Sequence, residues 1–173
     1  MEIRPALLCE YDAVAAFYDR LIDEMQSAVY KPGWEKGIYP TYAFLEESIR
    51  RQELYILLLE GEIAAAMVLN RACTDGYERI VWQIEAPPEE ISVIHALGLR
   101  PVFQGKGLAK AMVAEAIRLC RKRGDRSIRL DVLGGNEPAL GLYPAMGFRY
   151  MGTLQLYYED TGLTDFLLYE YLL

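Results

Sequence analysis

The residues with the clearest chemical meaning are Gln104-Gly105-Lys106-Gly107-Leu108-Ala109. They follow an apolar run, Val93 to Leu99, that ends in Arg100-Pro101, and they precede a pattern of helical period. A strand therefore meets a glycine-rich turn that opens a helix. The first amides of a helix have no partner within it and sit at the positive end of its dipole, so the arrangement suits a phosphate. Glycine lets the backbone turn sharply and a ligand come close. Two other readings of these glycines fail. A nucleotide P-loop requires G-x-x-x-x-G-K-[ST]; here the glycine before Gly105 is Gly98, and Lys106 is followed by Gly107 instead of Ser or Thr. A dinucleotide fingerprint requires G-x-G-x-x-G in a first βαβ unit; Gly105 and Gly107 begin one, but Lys110 stands third and no such unit precedes it.

Composition bounds what can surround this turn. At 173 residues, with 53% hydrophobic and 25% charged residues, the chain reads as one globular domain, 1–173, with a substantial core. The net charge of −7 argues against nucleic acid as a partner and is compatible with a cationic amine. No apolar run is long enough for a membrane span, and Met1-Glu2-Ile3-Arg4 lacks the layout of a signal peptide. Cys9, Cys73 and Cys120 match no zinc or C-x-x-C spacing, and His95 is the only histidine, so no metal is expected. The expected compartment is cytoplasmic.

The elements that must carry the turn can be read in order. Glu2 to Ala6 is a short strand, followed by a helix to about Ser27 with Val14, Phe17, Leu21, Ile22 and Met25 on one face. Val29 to Pro40 is a loop crowded with Tyr30, Trp34 and Tyr39. Thr41 caps a second helix, to about Gln52. Glu53–Leu59 and Ile63–Asn70 form a hairpin around Glu60-Gly61-Glu62. Tyr77 to Glu85 alternates imperfectly and fits no element. Ile91 to Leu99 is the fourth strand, the helix after the glycine turn runs to Arg123, and Ser127 to Val132 is the fifth strand. Asn136-Glu137-Pro138 opens a helix that Gly147 ends. Arg149–Tyr158 and Asp165–Leu173 are two late strands. The order is β-α-α-β-β-β-α-β-α-β-β, an α/β (α+β) chain with a mixed sheet flanked by helices.

Gln104-x-x-Gly107-x-Ala109 resembles the acetyl-CoA pyrophosphate loop of the GNAT N-acetyltransferases, Q/R-x-x-G-x-G/A. His95-Ala96-Leu97-Gly98-Leu99-Arg100-Pro101 resembles that family's fourth strand, and Asn136, Leu142-Tyr143 and Gly147-Phe148 follow at matching spacing. The resemblance is specific over Val93 to Gly152 and extends elsewhere through element order, which is that of the GNAT acyl-CoA N-acyltransferase fold. It implies an enzyme that moves an acetyl group from acetyl-CoA to a primary amine of a small molecule or peptide, by direct attack in a ternary complex.

That chemistry assigns expectations to particular residues. The resemblance places the pyrophosphate on the backbone of Gln104, Gly105, Lys106, Gly107, Leu108 and Ala109, with Lys106 and Lys110 near enough to add charge. It places the pantetheine arm on the backbone of Leu97, Gly98 and Leu99, where the fourth and fifth strands part, and an amide there would face the oxyanion. Asn136 would hydrogen-bond the arm or cap its own helix. Tyr143 would protonate the departing sulfur, a thiol near pKa ~8.5 against a phenol near ~10. An amine of pKa near ~10.4 must lose a proton before it attacks; His95 is a candidate base, on the same face as Leu97 if no bulge intervenes. Glu85, Glu89 and Glu90 are rival bases or amine anchors, and Asp131 is a further candidate that strand alternation would turn away. Trp34 and Tyr39 are candidates to line the acceptor pocket, with Glu85. Two other readings remain: a non-catalytic acyl-CoA-binding sensor on this fold, and an interaction protein that has lost the cofactor. The late strands are candidates for pairing between subunits in a homodimer.

Overall fold

The computed structural model describes residues Met1–Leu173. Its elements are β1 (Glu2–Pro5), α1 (Tyr11–Met25), α2 (Tyr42–Arg50), β2 (Leu54–Leu59), β3 (Glu62–Asn70), β4 (Ile91–Leu99), α3 (Leu108–Arg123), β5 (Ser127–Leu133), α4 (Glu137–Ala145), β6 (Arg149–Tyr158) and β7 (Gly162–Leu172). This is the expected order. The stretch Tyr77 to Glu85 holds a short 3-10 turn at Tyr77–Arg79 and no strand. Thr41 caps α2 as expected, its Oγ1 accepting from the Phe44 amide at 3.0 Å.

The seven strands form one sheet in the order β1-β2-β3-β4-β5-β7-β6. Only β4 and β5 are parallel, and they pair from Ile91↔Ser127 to Val93↔Arg129 and no further. Beyond Val93 the two strands part. The cause is visible in β4: Val68 pairs with His95 and Ala66 with Gly98, so Met67 faces two residues, Ala96 and Leu97. This is a β-bulge, which bends its strand and interrupts the ladder. Ala96 adopts φ +49°, a left-handed conformation that costs an alanine on the order of 1–2 kcal/mol. The buried Tyr18 hydroxyl on α1 donates to the Ala96 carbonyl at 2.8 Å and holds the bulge in place.

Apolar periodicity assigns the faces. On α3, Leu108, Met112, Val113, Ala116, Ile117 and Cys120 are buried and pack with Ile128, Leu130 and Val132 of β5 against one side of the sheet. On the other side, Val14, Phe17, Tyr18 and Leu21 of α1 and Leu45 and Ile49 of α2 pack on Ile56, Ala66 and Val68. Gly98 lets α1 approach: a Cβ there would lie 2.5 Å from Leu21 Cδ2. The segment between β3 and β4 crosses this second side over β5 and β7. It is held by Arg129, whose guanidinium lies 4.2 Å from the Trp82 ring and donates to the Ile84 carbonyl and to Glu170.

Candidate active site

The parting of β4 from β5 leaves two cavities that open into each other. One is a groove of about 500 Å³ along the end of β4, the glycine turn and α4. The other, of about 320 Å³, lies between the aromatic loop, the ends of β4 and β5, and the β6–β7 turn. Pro32, Trp34, Leu97, Asn136, Ala139 and Tyr143 border both.

The groove is built on Gln104, Gly105, Gly107, Leu108 and Ala109, with Leu97, Gly98 and Leu99 along its floor. Gly105 and Gly107 have φ +76° and +75°, and no atom lies within 4 Å of a Cβ built at either. The glycines thus serve a left-handed turn with open space over the backbone. Gly107 precedes α3 and no side chain caps the helix, so its first amides are free for an anion. The Arg100 amide donates to the Ala64 carbonyl on β3; by alternation the Leu99 amide points the other way, into the gap. These features fit a pyrophosphate and an extended arm. The side chain of Lys110 borders the groove and that of Lys106 does not: its ammonium sits 5.5 Å from the centre of the Phe103 ring.

Asn136 lies at the start of α4 but makes no side-chain cap hydrogen bond. The capping alternative is therefore not realised, and the amide is left facing both cavities. Tyr143 is 6% exposed, and its hydroxyl has no partner within the chain. Burial, with the Asp131 charge adding to it, raises its pKa above the ordinary phenol value. The small difference between phenol and thiol expected from model values is thus widened. Tyr143 therefore keeps its proton and is available as a hydrogen-bond donor.

The second cavity holds the other candidates. His95 lies in its wall, and its Nε2–H donates to the Ala72 carbonyl at 2.9 Å, which leaves Nδ1 with the lone pair in the neutral ring. Burial lowers the imidazole pKa below its ordinary value, against the opposing pull of Asp131. The bulge corrects one expectation. His95 and Gly98 share the α1 face, whereas Leu97 turns toward α3 and α4.

Asp131 corrects another. Ile128, Leu130 and Val132 do face α3, which turns Asp131 to the opposite side, but that side is covered and Asp131 borders the cavity. Its Oδ2 accepts from Tyr77 Oη at 2.7 Å, Thr74 Oγ1 at 3.4 Å and Tyr158 Oη at 3.4 Å. Burial raises its pKa, and the Tyr77 hydrogen bond and the His95 charge oppose that rise. Glu85 does not reach either cavity. It is exposed beside the start of β4, and its carbonyl accepts from Arg126 at 3.5 Å. Glu90 pairs with Arg126, and Glu89 is exposed near it, at the end of the strand opposite the site. None of the three can serve as base or amine anchor there.

Trp34 and Tyr39 line the cavity as expected, and they also pin their own loop. Trp34 packs at a tilt between Tyr18 and Tyr39 at ring distances of 6.1 and 5.9 Å, and Tyr39 meets Tyr158 at 6.1 Å. Tyr77, Thr74, Tyr158, Asp160 and Thr161 were not singled out by sequence; they lie on the segment before β4, at the end of β6 and on the β6–β7 turn, where no periodicity marks a site.

Residues 15–148 match the model of the acetyltransferase (GNAT) family. The chain belongs to that family of acetyltransferases. A Bacillus subtilis protein provisionally named as the alanine N-acetyltransferase of ribosomal protein bS18 is 27% identical over 112 residues, 65% of this chain and 72% of that protein. Other relatives, such as the N-alpha-acetyltransferase RimI of Mycobacterium tuberculosis, 32% identical over half of this chain, are spanned over about half their length or less. Among solved structures, a GNAT-family acetyltransferase of Streptococcus agalactiae superposes with TM-score 0.80 over 99% of this chain and 95% of that one, at 18% identity. A Salmonella typhimurium structure that contains acetyl-CoA superposes with TM-score 0.69 over 99% and 93%, at 17% identity. No helix is long and apolar enough to cross a membrane.

Proposed function

We propose that the protein is an acetyl-CoA-dependent N-acetyltransferase that acetylates a primary amine by direct attack in a ternary complex. One observation carries this: a groove shaped for a diphosphate and an extended arm joins a second cavity at Leu97, Asn136 and Tyr143. Acetyl-CoA, lying in the groove, supplies an activated thioester at that junction.

The residues divide the work. Main-chain amides from Gly105 to Ala109 hold the pyrophosphate, with Lys110 adding charge. The backbone of Leu97, Gly98 and Leu99 aligns the arm, and a gap-facing amide hydrogen-bonds the thioester carbonyl. Asn136 fixes the arm from the α4 side. The acceptor arrives as an ammonium drawn by Asp131, and His95 Nδ1 takes its proton. As the C–N bond forms and the C–S bond breaks, the Tyr143 hydroxyl donates its proton to sulfur, and the second proton that the nitrogen sheds restores the phenol. A raised phenol pKa keeps that proton in place until charge develops there.

The test is thiol release from acetyl-CoA across a panel of primary amines, with calorimetric binding of acetyl-CoA in parallel. Turnover with any amine class supports the reading. Binding without turnover would leave a sensor, and no binding would leave neither. The exposed Tyr150 and Tyr157 on the outer strand β6 support the homodimer expectation, which sedimentation tests.

A further inference from the structure

Buried carboxylates in this chain otherwise have an arginine. Asp125 accepts from Arg71 at 2.7 Å, and Glu170 from Arg129 at 2.9 Å. Asp131 differs. Only hydroxyl groups donate to it, all at Oδ2, and it forms no salt bridge. A recessed carboxylate without a counter-cation is costly to keep ionised, so the missing positive charge is one a ligand can bring.

The same cavity holds a second carboxylate, Asp160, on the β6–β7 turn, and no lysine or arginine lines it. Its walls are rings: Trp34, Tyr39, Phe44, Tyr158 and Phe166. Thr161 Oγ1, also in the lining, is buried with no hydrogen-bond partner. His95, Asp131 and Tyr143 border the cavity together, and Tyr158, whose hydroxyl donates to Asp131 at 3.4 Å, closes β6 just before Asp160 on the turn.

One edge of the cavity is closed. A Cβ at Gly33, on the aromatic loop, would lie 2.5 Å from Thr161 Cγ2 and 2.9 Å from Leu133 Cδ2. The loop thus rests on the β6–β7 turn with no room between them, and Tyr39 meets Tyr158 from the same two segments.

We infer that the acceptor is a small α,ω-diamine: one amine reacts beside Asp131, a short apolar spacer lies against the aromatic rings, and the second ammonium pairs with Asp160. This narrows the acetyltransferase reading and rests on it. Cations over aromatic faces are stabilised in the same way, and a free amino acid is disfavoured because its carboxylate would meet two acids and no cation.

The experiment compares kcat/KM for α,ω-diamines of three to six carbons, the monoamines of equal length, free amino acids and peptides with an N-terminal alanine. The expected result is a diamine advantage of roughly fivefold or more over the matched monoamine, which is what about 1 kcal/mol of ion pairing supplies, and which shrinks as salt is raised. D160N should bring the two rates together by slowing the diamine. The salt series on the wild-type protein gives the same information if D160N does not fold. Equal rates for diamine and monoamine, or a preference for the peptide, overturn this inference and leave the acetyltransferase reading standing. Acetyl-CoA binding without turnover of any amine overturns both.

Discussion

Arg129 and Asp131 sit two residues apart on β5 and point to the same side of the sheet, yet their surroundings are opposite. Arg129 meets Glu170 at 2.9 Å; Ser127 Oγ and the Gln83 amide complete that carboxylate's partners at 3.0 and 2.6 Å, and the Trp82 ring covers the guanidinium. Asp131, one step nearer the parting of the strands, has hydroxyl donors on one oxygen and no salt bridge. The first region is electrically complete within the chain. The second leaves a carboxylate without a cation at the border of a cavity. The sequence presents both as a charge in an alternating strand, and only their surroundings tell them apart.

The largest test of this contrast is Arg129→Met. It strands Glu170 at 0% exposure without a cation, and we expect a loss of about 3–5 kcal/mol of unfolding free energy, read by denaturant titration. An unchanged midpoint would mean that Glu170 needs no such partner.

Tyr143→Phe and His95→Ala address the cavity side. Each should lower turnover by roughly 10²-fold, the low end for general acid–base groups. Tyr143→Phe should leave acetyl-CoA affinity nearly unaltered, since the groove is built from backbone. His95 is competent as a base above its pKa, and burial lowers that pKa. The acid limb of kcat/KM should therefore lie below the ordinary imidazole value of ~6.5 and disappear in His95→Ala. A limb that survives the substitution assigns the proton to another group.

Asp131→Asn should have a smaller effect, raising KM for a cationic amine roughly tenfold, about 1.4 kcal/mol, while costing little stability. Burial raises the carboxyl pKa, so between the ordinary value of ~3.9 and the raised one the folded state binds more protons than the unfolded state. In that window wild-type stability falls as pH rises, and the Asn variant should lack this slope. Melting temperatures across mildly acidic pH would show it. A variant as destabilised as Arg129→Met would erase the contrast.

The element order, the glycine turn and the Asn136-to-Tyr143 spacing are all legible in the sequence, because each depends on local periodicity or on residues close in sequence. Asp131 was not. Alternation in Ser127–Val132 gives the facing of each side chain correctly but cannot say that the face opposite α3 is roofed by Tyr77, Trp82 and the aromatic loop, segments distant in sequence and without period. The facing of His95 relative to Leu97 depended on whether a bulge intervened, which the sequence could not show for a similar reason: the bulge is a property of β3 and β4 together. Glu85 looked suitable by charge and proximity in sequence, and the direction of β4 carries it to the far end.

The insertion at Ala96 has a further consequence. Deleting Ala96 would leave His95 opposite Val68 and Gly98 opposite Ala66 in spirit of the present pairing, with every flanking side chain on its present face, but it would remove the bend. A straightened β4 is free to zip along β5 past Val93. We expect such a shortened chain to melt cooperatively and to bind no acetyl-CoA in calorimetry; retained binding would show that the slot has another origin. A single supernumerary residue would then be what distinguishes an enzyme of this kind from an ordinary sheet.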